Sequence, residues 1–144
     1  MSESVAQRTA PVDVAVGILM RPNGDVLLGQ RPPGKPYAGY WEFPGGKLET
    51  GESVFSALQR EFMEELAVEV LDSEPWCCVE YVYPHAHVRL HFHIVRAWRG
   101  EPQSLEQQAF AWQGAYEVGP LLPATIPLLG WLDQVRYPGE SVSK

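Results

Sequence analysis

Residues 45–68 read GGKLETGESVFSALQREFMEELAV and carry the clearest periodic pattern in the chain. Ser53 is a typical N-cap residue, because its hydroxyl can accept a hydrogen bond from a free backbone amide of the first helical turn. Beyond it, apolar side chains recur every three or four residues, which is the spacing of one helix face. The pattern predicts an amphipathic helix to about Leu66, with a buried stripe formed by Phe55, Leu58, Phe62 and Leu66.

Three glutamates, Glu61, Glu64 and Glu65, would share one edge of this helix, within roughly 100° of arc. Like charges at these spacings cost a few tenths of a kcal/mol per pair, and Arg60 offsets only part of that through its i,i+4 relation to Glu64. One interpretation is a solvated acidic helix face. The other is a site for a hard divalent cation such as Mg²⁺, which prefers clustered carboxylate oxygens.

The residues around the glutamates favour the cation site. Gly45 and Gly46 predict a tight turn before the helix, at which backbone groups can approach a ligand or a metal. From Gly46 onward the segment resembles the Nudix signature GX5EX7REUXEEXGU, in which U is a bulky aliphatic residue. Phe62 departs from it but keeps an apolar contact, and Ala67 replaces a glycine, from which we expect a slightly different helix end. The positions that fit in register are Gly46, Glu52, Arg60, Glu61, Glu64, Glu65 and Val68.

The resemblance covers about Val12 to Leu132 and is closest to the MutT-like nucleoside triphosphate pyrophosphohydrolases. It implies Mg²⁺-dependent hydrolysis of a nucleoside 5'-triphosphate to the monophosphate and pyrophosphate, with Mn²⁺ as a substitute metal. Arg60 would orient the glutamates through a charge-assisted hydrogen bond. The implied metal ligands are Glu61, Glu64, Glu65, Glu106 and the main-chain carbonyl of Gly45.

Glu106 matches a loop glutamate that reaches the metal site in these enzymes. Either Glu106 or one of the helix glutamates would then be the general base. The alternative for Glu106 is an ordinary exposed loop acid.

Three further residues are candidates for substrate binding. Arg31 matches an arginine that contacts substrate phosphate, a task that suits its forked donors, although it could also be a surface charge at a strand end. Phe43 could pack against the base or lie inside the sheet. Thr125 stands where relatives carry an asparagine or an aspartate that reads the base, so the preferred base is left open; the alternative is a simple helix N-cap.

The remaining sequence predicts an α/β (α+β) fold. VDVAVGILM and VLLGQR flank the turn PNGD and predict a hairpin, and WEFPGG predicts a short strand that enters a glycine turn. VEVL, WCCVEYVY, VRLHFHIVRAW and FAW predict further strands, and a closing helix follows Thr125. The resemblance implies an α/β/α sandwich with a mixed central sheet and a catalytic loop-helix-loop. We expect one domain over residues 1–144, with flexible ends at residues 1–10 and 138–144.

Composition narrows the possible partners. The 11 basic and 18 acidic residues give a net charge of −7, which argues against binding to a nucleic acid polymer. The sequence shows neither a signal peptide nor an apolar run of membrane-spanning length, so we expect a cytoplasmic location and no membrane partner. Nothing in the sequence indicates an oligomeric state.

Cysteines and histidines add no clear metal site. Cys77 and Cys78 are adjacent, so their side chains would point to opposite faces of a strand and a disulfide between them is not expected. The histidines favour packed or hydrogen-bonded positions near the cleft, although an H-x-H pair could also bind a transition metal. They are His85, His87, His91 and His93.

The expected biological role is removal of oxidised or non-standard nucleotides of the 8-oxo-dGTP or CTP/5-methyl-dCTP type. Two alternatives stay open. One is hydrolysis of another nucleoside diphosphate derivative, such as a dinucleoside polyphosphate, and the other is a non-catalytic Nudix module that only binds a nucleotide.

Overall fold

The structure is a computed structural model that describes residues 10–137. Apart from Ala10, the two ends expected to be flexible lie outside this range. No helix in the described range is long and apolar enough to cross a membrane. The elements in chain order are β1 (Val12–Leu19), β2 (Val26–Gln30), β3 (Trp41–Glu42), β4 (Gly45–Lys47), α1 (Val54–Leu66), β5 (Glu69–Tyr83), β6 (Ala86–Arg99), β7 (Phe110–Gln113), a 3-10 helix (Ile126–Leu128) and α2 (Leu129–Arg136).

The strands form two sheets. The larger has the order β4-β1-β6-β5, in which β1 and β6 are parallel and the other pairs are antiparallel. The smaller, antiparallel sheet has the order β3-β2-β7. The predicted mixed sheet with one helix on each side is confirmed, whereas the second sheet was not predicted.

Strand β1 separates the two halves of the core because its side chains alternate between the two faces. Ala15 and Leu19 pack in a cluster with the apolar stripe of α1. Val16 and Ile18 point the other way and pack in a cluster with Leu132 of α2. The sandwich therefore depends on a strand that is apolar on both faces.

The predicted hairpin of β1 and β2 is wrong. The two strands lie in different sheets and share only the isolated antiparallel bridge between Met20 and Val26. The turn itself forms, since the Arg21 amide donates to the Asp25 carbonyl at 2.9 Å. The strands diverge after this turn because β1 is taken up between β4 and β6, while β2 pairs with β3 and β7.

Helix α1 begins as predicted and ends differently from the expectation. The Ser53 hydroxyl accepts a hydrogen bond from the Ser56 amide at 3.1 Å. At the other end Ala67 adopts the left-handed conformation, with φ 58° and ψ 35°, and its amide donates to the Met63 carbonyl at 3.2 Å. Ala67 thus makes the turn that a glycine would make, at a cost of about 1 kcal/mol, because the helix-ending hydrogen bonds require it.

Thr125 stands at the N-cap position of the 3-10 turn that begins the closing helix, but its side chain does not cap it. Its side chain makes no capping hydrogen bond, and its backbone is already helical at φ −78° and ψ −34°. The first turn is a 3-10 helix containing Pro127, whose missing amide hydrogen removes one of the donors that a cap would satisfy. Thr125 is nonetheless buried.

The two cysteines form no disulfide, and two of the histidines make side-chain contacts within the sheet. Cys77 and Cys78 are free thiols, which confirms that they form no disulfide. His91 contacts Asp13 at 2.9 Å, and His93 contacts Ser73 at 2.8 Å. Within residues 10–137 no group of three His, Cys, Asp or Glu side chains is arranged to hold a metal ion as it stands. His91 and His93 make the hydrogen-bonded contacts that the sequence favoured for these histidines.

Arg136, at the end of α2, connects three parts of the chain. It is buried, and its guanidinium donates to the backbone carbonyls of Gly24 at 2.8 Å and Gln113 at 3.2 Å. It also contacts Asp133 at 3.2 Å. A buried charge of this kind tolerates little change because the Gly24 and Gln113 residues whose carbonyls it satisfies are buried as well.

We expect Arg136→Met to lower the free energy of unfolding by about 2–4 kcal/mol, because it leaves buried carbonyls unpaired. Arg96→Ala is the matched control, since Arg96 forms only an exposed ion pair with Glu74 at 2.9 Å, and should cost less than about 0.5 kcal/mol. Urea unfolding measures both. Equal midpoints for the two variants would contradict this role of Arg136.

Candidate active site

A cleft of about 680 Å³ opens beside α1 and the β1–β6 pair. Arg60 and Glu64 do not line it. The other predicted site residues all do, although they come from five separate segments of the chain. They are Arg31, Phe43, Gly45, Glu61, Glu65, Glu106 and Thr125.

The glycine pair serves close packing and not the predicted turn. Gly45 and Gly46 lie in β4 and pair with Val16 and Ala15 of β1. A Cβ on Gly45 would lie 1.9 Å from the Ala15 carbonyl oxygen, and a Cβ on Gly46 would lie 2.3 Å from the Glu61 carboxyl group. Glycine at position 45 thus lets β4 lie close to β1, and glycine at position 46 leaves the space that the Glu61 carboxyl group occupies.

Arg60 is the cation around which the acidic residues are arranged. Its Nε and Nη2 atoms donate to both carboxylate oxygens of Glu52, at 2.7 and 2.8 Å, and its Nη1 donates to Glu61 at 2.9 Å. The predicted i,i+4 contact with Glu64 is present but longer, at 3.6 Å. The hydrogen bonds from Arg60 hold the pKa of Glu52 at about 2. Arg60 therefore positions Glu61 from behind the cleft.

Glu65 lies in a setting that is unfavourable for its negative charge. Burial, together with the neighbouring carboxylates of Glu61 and Glu106, raises the pKa of Glu65 far above its usual range. Such a group binds either a proton or a cation. The candidate metal-binding groups that share the cleft with Glu65 are the carboxylate oxygens of Glu61 and Glu106. Hard divalent ions prefer oxygen ligands of this kind.

The loop that carries Glu106 is fastened to the end of α1. The Gln103 amide donates to the Leu66 carbonyl at 2.9 Å, and the Leu105 amide donates to the Glu65 carbonyl at 3.1 Å. These bonds use carbonyl groups that the helix end leaves free. They bring Glu106, which is exposed, to the same cleft as Glu65.

Arg31 lines the cleft but is already partnered. Its Nη1 atom contacts the two carboxylate oxygens of Glu42 at 3.1 and 3.2 Å, and its Nε donates to the Pro36 carbonyl at 2.7 Å. Burial raises the pKa of Glu42 in spite of this ion pair. Arg31 is therefore no simple surface charge, and its Nη2 group is the donor left for a ligand.

The cleft floor next to Arg31 is apolar. Phe43 is 4% exposed and packs edge-on against Phe92 at 6.5 Å, so it lies in the core and also lines the cleft. Both roles considered for Phe43 are thus structurally compatible. Thr125, also buried, brings a hydroxyl group to this region.

Sequence reasoning missed several cleft residues. Glu42 carried a signal, because an acidic residue within the short strand WEF is unusual unless it is paired. Tyr83 gave none, since it reaches the cleft only through the long β5–β6 hairpin, whereas His85 was expected near the cleft and does line it. Lys35 and Lys47 also line the cleft and supply positive charge beside the carboxylates.

We expect Gly46→Ala to displace the Glu61 carboxyl group and to reduce kcat about 100-fold, since small displacements of a reacting group have effects of this size. Gly130→Ala is the control, because no atom lies within 4 Å of a Cβ at that helix position. Steady-state kinetics and thermal unfolding measure the outcome. Unchanged kcat in a folded Gly46→Ala protein would contradict the close approach of β4 and Glu61.

Known proteins place the chain in a family. The NUDIX domain profile matches residues 11–135. The chain is 36% identical over 120 residues to an 8-oxo-dGTP diphosphatase of Haemophilus influenzae, covering 82% of this chain and 88% of that protein. It is 40% identical over 126 residues to a CTP pyrophosphohydrolase of Escherichia coli, with the same coverage of 82% and 88%.

A solved structure agrees with these sequence relationships. The MutT NUDIX hydrolase from Burkholderia pseudomallei superposes with a TM-score of 0.76 at 30% identity, covering 87% of this chain and 98% of that one. The fold, the matched residues and the named relatives agree with one another. The chain therefore belongs to the Nudix family and is a Nudix hydrolase.

Proposed function

We propose that this hydrolase converts a nucleoside 5'-triphosphate to the nucleoside monophosphate and pyrophosphate with the help of Mg²⁺. The observation that carries the proposal is the meeting of Glu61, Glu65 and Glu106 with Arg31 in one cleft. Acidic groups that hold a cation, beside an arginine that binds phosphate, are the arrangement that phosphoanhydride hydrolysis requires.

The cleft offers the carboxylate oxygens that a divalent metal prefers, and members of this family generally use such an ion. The proposed ligands in the cleft are Glu61, Glu65, Glu106 and the carbonyl of Gly45, and Glu64, which does not line the cleft, is proposed as a further ligand from the same helix. Mg²⁺ is the ion that best matches an all-oxygen set shared with substrate phosphates, and Mn²⁺ accepts the same ligands. A bound ion would neutralise the phosphate oxygens and the buried Glu65 together.

The protein's own residues have separate tasks in this reaction. Arg60 holds Glu61 in place at 2.9 Å, and Arg31 offers its free Nη2 group to a phosphate oxygen. Glu106 is the proposed general base, because Arg60 does not engage it as it does Glu61. Glu106 would take a proton from water as the water oxygen bonds to an internal phosphorus, and the bond to the departing pyrophosphate oxygen breaks.

We assign recognition of the nucleotide base to the apolar part of the cleft. Phe43 offers a ring and Thr125 a single hydroxyl group, and the named relatives act on 8-oxo-dGTP and CTP. We propose an oxidised or non-standard nucleotide of one of these two types as substrate, and hence a role in sanitising the nucleotide pool. Such a role would place the protein in the cytoplasm, where that pool is.

The alternative of a non-catalytic binding module finds no support. Crowded acids such as Glu61 and Glu65 cost stability and do not help to bind an anionic nucleotide directly. A dinucleoside polyphosphate remains a second substrate class for the same acidic residues, and products distinguish it.

A substrate panel with product identification tests the proposed reaction. With Mg²⁺ present, we expect 8-oxo-dGTP, dGTP, CTP or 5-methyl-dCTP to give the monophosphate and pyrophosphate, and to have a higher kcat/KM than dinucleoside polyphosphates. Release of inorganic phosphate, or faster turnover of the dinucleoside polyphosphates, would contradict the proposal.

Replacement of the acids tests the metal assignment. Glu61→Gln and Glu65→Gln should each reduce kcat at least about 100-fold, because an amide is a much weaker Mg²⁺ ligand than a carboxylate. Glu74→Gln is the matched control, since Glu74 is exposed in the pair with Arg96. Circular dichroism should show an unchanged fold in all three. Full activity in both site variants would disprove this ligand set.

A further inference from the structure

An aromatic cluster, formed by Tyr37, Tyr83 and His85, lies at the rim of the cleft. It has no part in the proposed hydrolysis. Tyr37 packs edge-on against Tyr83 at 5.2 Å between ring centroids and lies 5.8 Å from His85. Tyr83 and His85 are stacked at 5.4 Å with an interplanar angle of 25°. Tyr37 belongs to the loop after β2, whereas the other two lie at the tip of the β5–β6 hairpin. The cluster thus joins two segments that are distant in sequence.

Tyr37 is held in place at an energetic cost. Its φ is 60°, a left-handed conformation that non-glycine residues adopt rarely and that costs about 1 kcal/mol or more. It is also the only residue between positions 33 and 38 that is not fully exposed. A strained residue with a partly buried ring in an exposed loop indicates that the position of the ring matters.

The two ends of this contact are fixed independently. On one side Arg31 fastens the loop through the Pro36 carbonyl at 2.7 Å, and the Gly39 amide donates to the Arg31 carbonyl at 2.9 Å. On the other side the Tyr83 hydroxyl accepts a hydrogen bond from the Ala124 amide at 3.1 Å. Hydrogen bonds therefore hold both segments that carry the aromatic cluster, and they restrict the positions of its rings.

The cluster borders the part of the cleft away from the metal-binding acids. Tyr83 and His85 line the cleft, as do Ala124 and Thr125 beside them. Glu42, Glu65 and Tyr83 all line this one cleft, so the aromatic rings and the acids face the same space. A triphosphate at the acids and Arg31 would thus direct its nucleoside toward the aromatic rings.

We propose that His85 is a contact for the nucleoside part of the substrate and that Tyr37 is its positioning residue. This inference rests on the proposed function, since it assigns a role within the same cleft. The exposed imidazole offers a flat face that can stack on a base, and Tyr37 and Tyr83 restrict its position. The contact determines affinity for the nucleoside and leaves the chemical step unchanged.

The test compares a nucleoside triphosphate turned over by the wild type with ribose 5-triphosphate, which lacks the base. We expect His85→Ala to raise KM about tenfold for the nucleotide, with kcat within twofold and no change for ribose 5-triphosphate. His85→Phe should restore most of the affinity, because it keeps a flat ring. Val82→Ala is the control, since Val82 is 71% exposed on the strand that leads into the turn carrying His85.

Tyr37 is tested by two variants. Tyr37→Asn keeps a residue that tolerates the left-handed conformation but removes the ring, and should raise KM for the nucleotide and speed amide exchange in residues 32–40. Tyr37→Phe should behave as the wild type. Equal KM increases for both substrates, or a change in kcat alone, would overturn the inference. Failure of the wild type to hydrolyse any nucleoside triphosphate would instead overturn the proposed function, and this inference with it.

Discussion

The crowding of negative charge at the inner edge of α1 is the constraint on which the site depends. Glu65 is buried beside Glu61 and Glu106. Both the burial and the neighbouring negative charges oppose ionisation of Glu65. Arg60 offsets part of this charge by its bonds to Glu52 and Glu61, but it lies behind the cleft and does not reach into it. The remaining charge is what a divalent cation and its bound phosphates would neutralise.

The surrounding fold serves to bring other groups to this edge. Glycine at position 46 allows β4 to lie against Glu61, and the free carbonyls at the end of α1 hold the loop that carries Glu106. Arg31 arrives from the second sheet, fixed by Glu42. Each of these contacts joins segments distant in sequence, so the cleft exists only in the complete sandwich.

Much of this arrangement was predictable, and the failures have physical causes. The helical period of α1 and its Ser53 cap are local properties, and the structure confirms them. The prediction of a β1–β2 hairpin was wrong because each strand pairs mainly with other strands. These pairings, which are not local, place β1 and β2 in different sheets. Gly45 and Gly46 were assigned to a turn because conformational freedom is the usual reason for glycine, whereas here the reason is close approach. The aromatic contact of Tyr37 had no sequence signal at all.

The most direct test of the central claim is the free energy of unfolding of the wild type and of Glu65→Gln, each without and with Mg²⁺. Without metal, Glu65→Gln should be the more stable protein, because it removes a buried acid that is costly to ionise. With saturating Mg²⁺ the wild type should gain stability and become the more stable of the two. A Glu65→Gln protein that is less stable without metal, or that gains as much from Mg²⁺ as the wild type, would contradict the account.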